Sequence, residues 1–234
     1  MATASGWNTW DVRHLNAVVH LPTAARLWFR LHDPGSGQFK DEFNWRQDMR
    51  RLGPHAADGS YAQADLRWGH AAVTFEYASA GDRLACRITP ATETRGLWLV
   101  VQLDTAWERT GSGSCQNEQL RLSTGDRTWR AQATTTAAGL PALAGTPHLA
   151  FPLDQAVLIE VAPDTAPAAA ELARFVDAQR DACLAAGLHS EGWLADAADA
   201  LTRSIAWNTI WEPIKGRICT PVSRDWCKGS FFGS

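Results

Sequence analysis

The spacing of apolar residues changes near Thr165, and this change constrains the fold more than any other feature of the 234-residue sequence. Before it, apolar residues recur at every second position, as in Val73, Phe75 and Tyr77, which is the period of a half-buried β-strand. After it they recur at intervals of three and four, which is the period of an amphipathic helix. The sequence therefore predicts a β-rich part followed by an α-helical part.

Two hairpins can be placed within the β-rich part. Residues 73–77 and 84–88 alternate apolar and polar side chains around turn-forming residues at 80–82, and residues 120–131 repeat the pattern around a second turn. The nearly continuous apolar run at 97–103 predicts a strand that is covered on both faces. We therefore expect antiparallel strands joined by short turns.

Regularly spaced strands with no helical segment between them are typical of an antiparallel β-sandwich. Residues 157–161 supply the last strand, so the sandwich is expected to extend over about residues 6–161, within a first domain of residues 1–163. The glycine-containing runs at 33–39 and 111–114 are interpreted as a turn and as a linker or hairpin loop.

Two helices are predicted after the sandwich. The first covers residues 168–186 and serves as a linker helix within segment 164–188, and the second begins near Ser190 and reaches about Asn208. The apolar positions of the first are Leu172, Phe175, Val176 and Cys183, and those of the second are Trp193, Leu194, Ala197, Leu201 and Ile205. Because the second stripe has no partner in the sequence, we expect residues 189–234 to be the truncated start of an α-helical domain. The predicted fold class is mainly β, an antiparallel β-sandwich followed by two α-helices.

Charge and hydropathy argue against two classes of protein. The formal net charge is -3 and the basic residues are scattered, so we expect no nucleic-acid partner. No apolar run approaches the roughly 20 residues of a membrane-spanning helix, and the N-terminus has no basic and then apolar leader. We therefore expect a cytoplasmic protein with no membrane partner, and the sequence assigns no oligomeric state.

Metal-binding patterns are not found in the sequence. The five cysteines form no CxxC pair, and the histidines show neither HxxxH nor HxH spacing. We expect mostly reduced, structural cysteines, ordinary structural or exposed histidines, no metal site and no cofactor.

The stretch that carries most chemical information is residues 204–226, with the sequence SIAWNTIWEPIKGRICTPVSRDW. Tryptophan faces beside guanidinium and amide groups suit a polyhydroxylated ring, because the indole stacks on its C–H face while polar groups bind its hydroxyls. The candidate substrate-binding residues are Trp207, Asn208, Trp211, Glu212, Arg217, Ser223, Arg224 and Trp226. The alternative is that the first two tryptophans pin a helix end and that Glu212 and Arg217 form a surface ion pair. For most of the 12 tryptophans in the sequence, core packing is the favoured role.

The run WNTIWEPIKGRICTPVSRDW at 207–226 resembles a motif of glycoside hydrolase family 63 and its trehalase-like relatives, with Cys219 in place of the usual Ile or Val. Segments 6–22 and 58–68 resemble the opening of the β-domain of bacterial members. The resemblance implies a β-sandwich followed by an (α/α)6 barrel that contains the active site. It also implies an inverting α-glycosidase acting on small α-glucosides or α-mannosides.

In the family, an Asp acts as general acid and a Glu as general base, and both would follow residue 234. Glu212 and Asp225 match neither position, so no residue of this chain is assigned a catalytic role and the chain alone is expected to be inactive. A non-catalytic carbohydrate-binding or partner-binding β-sandwich is the alternative function.

The opening GWNTWD also resembles TIM-barrel α-galactosidases. A (β/α)8 barrel requires a helix after each strand, whereas the sequence up to Val161 keeps the period of two. We therefore expect Trp7 and Trp10 to lie in a strand or strand edge of the sandwich core.

Overall fold

A computed structural model describes residues 6–9, 15–43, 47–56, 59–106, 111–165 and 171–186, together with the backbone of Ile210–Glu212 and Arg217–Cys219. In chain order, the first fourteen strands are β1 (Trp7–Asn8), β2 (Ala17–His20), β3 (Ala25–Asp33), β4 (Gln38–Lys40), β5 (Met49–His55), β6 (Tyr61–Trp68), β7 (Ala71–Ala80), β8 (Arg83–Thr92), β9 (Trp98–Thr105), β10 (Ser112–Gln116), β11 (Gln119–Thr124), β12 (Arg127–Ala133), β13 (Leu149–Pro152) and β14 (Val157–Pro163). Helix α1 (Leu172–Ala186) follows, and then the short strands β15 (Ile210–Glu212) and β16 (Arg217–Cys219).

The fourteen strands form two antiparallel sheets. The first has the order β1-β2-β3-β9-β13 with β4 paired to β3, and the second has the order β10-β11-β12-β14-β8-β7-β6-β5. Their facing sides share one core, in which the ring of Phe29 on β3 meets that of Phe75 on β7 edge-on, with centroids 5.6 Å apart. The predicted mainly β, antiparallel sandwich is confirmed.

The hairpins predicted from the period of two are present. Strands β7 and β8 pair across the turn at 80–82, where Gly81 has a φ of 56°, and β11 and β12 pair across Gly125. The run at 97–103 is likewise covered on both sides, because Val100 on its outer side is buried against Leu140 of the β12–β13 connection. Local alternation was therefore sufficient to predict these elements.

The interpretation of residues 111–114 as a linker or hairpin loop is wrong. Residues 112–114 belong to β10, an edge strand whose residues are all exposed. An edge strand that is open on both faces needs no apolar side chains, so its Ser–Gly repeat lacks the signal on which strand prediction depends. Within the run at 33–39, residues 34–37 form the predicted turn between β3 and β4, while the remaining three residues belong to those strands.

Helix α1 packs on the outer face of the second sheet. Leu172, Val176 and Cys183 are buried there, in a cluster that includes Ala78 and Ala85 of the sheet. Because alanines occupy the sheet positions beneath it, the helix can approach closely. The helix predicted over 168–186 is confirmed from Leu172 onward, and the predicted second helix lies outside the described residues.

Among the described residues, no helix combines the length and hydropathy that a membrane crossing needs.

Candidate functional site

Most of the predicted sugar-binding stretch lies outside the described residues. This holds for Trp207, Asn208, Ser223, Arg224 and Trp226. The other three lie on a two-stranded antiparallel pair, with Trp211 and Glu212 on β15 and Arg217 on β16. The register places Glu212 opposite Arg217 and Trp211 opposite Ile218. Strands therefore occupy part of the stretch for which the sequence analysis placed no strand, and their Ile, Trp and Cys residues favour the extended backbone.

The outer face of the first sheet carries a stack of cations and aromatic rings that sequence analysis did not identify. On β3, Arg26, Trp28 and Arg30 point outward and are partly exposed, while Leu27 and Phe29 point into the core. The guanidinium carbons of Arg26 and Arg30 lie 4.9 Å and 5.4 Å from the centroid of the Trp28 ring. We name these three side chains the arginine–tryptophan ladder.

Carboxylates hold both cations of the ladder in place. Arg26 donates from Nε and Nη2 to the two carboxylate oxygens of Asp104, at 2.7 Å and 2.6 Å, and Arg30 donates from Nε to Asp41 at 2.6 Å. Arg26 and Arg30 lie two positions before and two positions after Trp28, so they flank its ring. The faces of the indole are therefore occupied by the guanidinium groups and are not available for stacking on a sugar.

A cleft opens beside the ladder, where the first sheet meets the edge of the second. Its volume is about 230 Å³. We call it the seam cleft, and its lining residues are Gln102, Leu103, Asp104, Thr105, Gly111, Gly113, Leu122, Thr146 and Pro147. It forms because β13 begins at Leu149, opposite Val101, so the following part of β9 is paired only to β3 among the described strands. The edge of β9 that faces away from β3 therefore borders the cleft, together with polar side chains.

Glycines keep the seam cleft open. A Cβ atom at Gly113 would lie 3.6 Å from the Leu103 carbonyl oxygen and 3.9 Å from Pro147 Cγ, which are ordinary contacts. At Gly111 it would lie 2.6 Å from Thr105 Cγ2 and 3.0 Å from the Ser123 carbonyl oxygen, so the backbone there cannot accept a side chain without moving. Position 113 is thus free to vary sterically, and any larger side chain there would occupy the cleft.

A second polar cluster lies at one end of the sandwich around His20, which is buried. Its Nε2 is 3.1 Å from Asp82 Oδ1, and its Nδ1 is 2.9 Å from Thr23 Oγ1. Since an ionised carboxylate only accepts, the neutral ring carries its proton on Nε2 and accepts the Thr23 hydroxyl proton at Nδ1. A Cβ at Gly6 would lie 2.4 Å from Nε2, so only glycine fits at that position.

Two tryptophans enclose this histidine. Its ring centroid lies 5.2 Å from that of Trp7 and 4.5 Å from that of Trp129. Burial lowers the pKa of His20, and the hydrogen bond and charge of Asp82 oppose this only in part, with Arg127 adding to the lowering. The contact with Asp82 is therefore a hydrogen bond from a neutral ring at neutral pH and not an ion pair. Trp7 lies in the core as expected, whereas Trp10 lies outside the described residues.

A charged network fastens helix α1 to the second sheet. Glu76 on β7 accepts from Tyr61 Oη at 2.7 Å and from Arg87 Nε and Nη2 at 2.6 Å and 2.8 Å. Arg87 also donates from Nη1 to Asp177 of the helix at 2.9 Å. Hydrogen bonds to Glu76 raise the pKa of Arg87, and burial followed by the Glu76 hydrogen bond raises that of Tyr61. We interpret this network as structural, because it joins strands of the second sheet to helix α1.

Within the part of the chain that the structure describes, no group of three or more His, Cys, Asp or Glu side chains could hold a metal ion. Comparison with known families did not identify the chain, since no protein-family model matches it. A search of curated proteins likewise found no match. The function must therefore be argued from its own residues.

Proposed function

We propose that this chain is the N-terminal part of an inverting α-glycosidase that acts on small α-glucosides or α-mannosides. The observation that carries the proposal is the run at 207–226, which resembles the glycoside hydrolase family 63 motif over twenty consecutive positions. The order of elements supports it, since an antiparallel sandwich ending in β14 is followed by helix α1. A cytoplasmic location belongs to the same proposal, and the free thiols of Cys86 and Cys115 support it.

In this proposal the chain binds sugar, and the bond-breaking groups come from residues after 234. Inverting hydrolysis needs a carboxylic acid that protonates the glycosidic oxygen and a carboxylate that activates water on the opposite ring face. The tryptophans of 207–226 would stack on the C–H face of the ring. Glu212 and Arg217, whose backbones lie opposite each other in the β15–β16 register, would supply polar groups for its hydroxyls.

The test uses two proteins, the 234-residue chain and the product of the whole reading frame that contains it. We expect the longer protein to hydrolyse an aryl α-glucoside or α-mannoside and to release the β-anomer first, as followed by proton NMR. The 234-residue chain should give no hydrolysis above background. Release of the α-anomer, hydrolysis by the short chain, or a stop codon directly after Ser234 would each contradict the proposal.

The seam cleft favours a second candidate function, a non-catalytic carbohydrate-binding sandwich, because its lining lies wholly within the sandwich. The two functions predict different results for the whole reading frame. A binding module would retain sugar without hydrolysing it, whereas an enzyme would show turnover that is lost when Trp211 is replaced by Ala.

A further inference from the structure

We propose that the seam cleft binds one neutral pyranose ring, at a site separate from the 207–226 stretch. Its volume of about 230 Å³ is below the range of about 300–1,000 Å³ that is usual for drug-sized ligands. The cleft is therefore suited to a single ring and not to an oligosaccharide. The choice of a sugar over another small polyol rests in part on the proposed function.

The amide of Gln102 is the main recognition group. Its side chain is mostly buried, with a residue exposure of 8%, and its Oε1 accepts from Arg30 Nη1 at 3.3 Å. This bond fixes the orientation of the amide, because the oxygen faces the arginine and the Nε2 group is left as donor. Nε2 makes no hydrogen bond within the described part of the chain. Gln102 lines the cleft, so a ligand hydroxyl bound there could accept from Nε2.

Acceptors lie beside this donor. The carboxylate of Asp104 is held by two hydrogen bonds from Arg26, which leaves lone pairs on both oxygens for hydroxyl donors. The Leu103 carbonyl oxygen borders the cleft and faces Gly113. A donor flanked by two acceptors matches vicinal hydroxyls, since each hydroxyl both donates and accepts.

The remaining walls are apolar and the charges nearby are balanced. Leu122 and Pro147 border the cleft and provide contacts for the C–H face of a ring. Asp104 is neutralised by Arg26 at 2.6 Å, so the cleft has no net charge to attract an ionic ligand. The indole of Trp28 cannot stack on the ring, because its faces are covered by the ladder. Binding should therefore be weak, with a Kd in the millimolar range for a ligand of about 13 non-hydrogen atoms.

Two substitutions test the site, each in the full 234-residue chain. Gly113→Val places methyl groups in the cleft with no clash at Cβ, and valine is well tolerated in strands. Gln102→Leu removes the amide donor at similar volume. The matched control is Ser114→Val, the next residue of the same strand, which points to the opposite side. The probe is methyl α-D-glucopyranoside, with methyl α-D-mannopyranoside as a second probe, measured by saturation-transfer difference NMR.

We expect both cleft variants to weaken binding at least tenfold, while Ser114→Val binds like the wild type and all variants keep the thermal unfolding midpoint within a few degrees. Absence of binding to the wild type at about 50 mM, some fiftyfold above the expected Kd, would overturn the proposal. Unchanged binding by both cleft variants would do the same.

A Trp211→Ala variant separates this proposal from the function of the 207–226 stretch. Seam-cleft binding should survive that substitution. If binding is lost in Trp211→Ala but retained in Gly113→Val, the sugar binds at the hairpin, and the seam-cleft site is refuted while the proposed glycosidase function stands. Failure of the hydrolysis test would not affect binding to the seam cleft.

Discussion

Replacing Arg87 by Met should destabilise the chain by about 3–5 kcal/mol, the cost of leaving a buried charge without its partner. The side chain of Glu76 is 8% exposed and that of Arg87 is 17% exposed, so water screens the pair only slightly. The substitution removes the two short hydrogen bonds from Arg87 and leaves Glu76 with its bond from Tyr61 at 2.7 Å. It also releases Asp177, which anchors helix α1 to the sheet.

Three further variants show whether the buried charge is the cause. Adding Glu76→Gln to Arg87→Met should recover part of the loss, because the neutral amide still accepts from Tyr61. Asp177→Asn should cost no more than about 1 kcal/mol, since Asp177 is 43% exposed and exposed ion pairs contribute little. Arg174→Ala, at an 80% exposed position of the same helix, should stay within about 0.5 kcal/mol of the wild type.

The measurement is urea unfolding of each variant, followed by circular dichroism, with the free energy and the m-value fitted together. A large loss for Arg87→Met with an unchanged m-value is the expected result. If Arg87→Met were as stable as Arg174→Ala, or if the double variant were no more stable than the single, the buried-charge argument would be refuted.

Three smaller predictions concern the pH response, one turn and the thiols. Because burial lowers the pKa of His20, the unfolded state binds a proton more readily than the folded state, so the contribution of His20 to stability should be complete above about pH 6.5 and fall as the pH falls below it. His20→Gln should therefore reduce the difference in melting temperature between pH 7.5 and pH 5.5. An equal difference in the variant would show that His20 does not cause the pH dependence. Ala24 has a φ of 60°, a backbone conformation that is strained for alanine but not for glycine. Ala24→Gly should therefore raise the free energy of unfolding in urea by about 0.5 kcal/mol, which is the strain relieved less the entropy cost of glycine. A lower free energy of unfolding would contradict this. Cys115 is exposed and Cys86 is buried, and burial raises the pKa of the Cys86 thiol. When the folded protein is alkylated, Cys115→Ser should therefore carry one label fewer than the wild type, and Cys86→Ser the same number. Labelling of Cys86 before unfolding would argue against its burial.

The sandwich could be predicted because its signals are local. Phe75 and Tyr77 alternate with outward residues on one strand, and Leu84 and Cys86 repeat the alternation after a turn-forming run, so no knowledge of distant residues is needed. Helix α1 is predictable for the same reason, since the positions of its buried residues follow from the helical period alone.

The seam cleft could not be predicted, because it depends on where distant strands end. Gln102 and Gly113 line the same cleft because β13 begins at Leu149, opposite Val101, and does not extend along the second half of β9. The Ser–Gly repeat of β10 also lacked the apolar side chains that reveal a strand. A sequence search for glycines next to alternating polar and apolar residues would have found Gly113. It would not have found the residues of β9 that line the cleft with it.

The tryptophans show the limit of composition as a guide. Trp7 and Trp129 are buried, in keeping with core packing, whereas Trp28 is only partly buried between two guanidinium groups. The period of a strand tells which residues share a face, but not whether that face meets another sheet or carries a stack of charged side chains. Arg26 and Arg30, two positions on either side of Trp28, were the available signal for an outward face.

The two outer faces of the sandwich differ, so stability and the proposed sugar binding should respond to different substitutions. Helix α1 and its anchors Val176 and Arg87 occupy the second sheet over β5–β8 and β14, so that part of the surface is committed to structure. The arginine–tryptophan ladder lies on the first sheet, and the seam cleft lies where that sheet borders β10 and β11. Substitutions at Val176 should therefore lower stability while leaving the sugar affinity of the remaining folded chain unchanged. Gly113→Val should lower the sugar affinity while leaving stability unchanged. A variant set in which both properties always changed together would show that the helix and the cleft form one coupled unit.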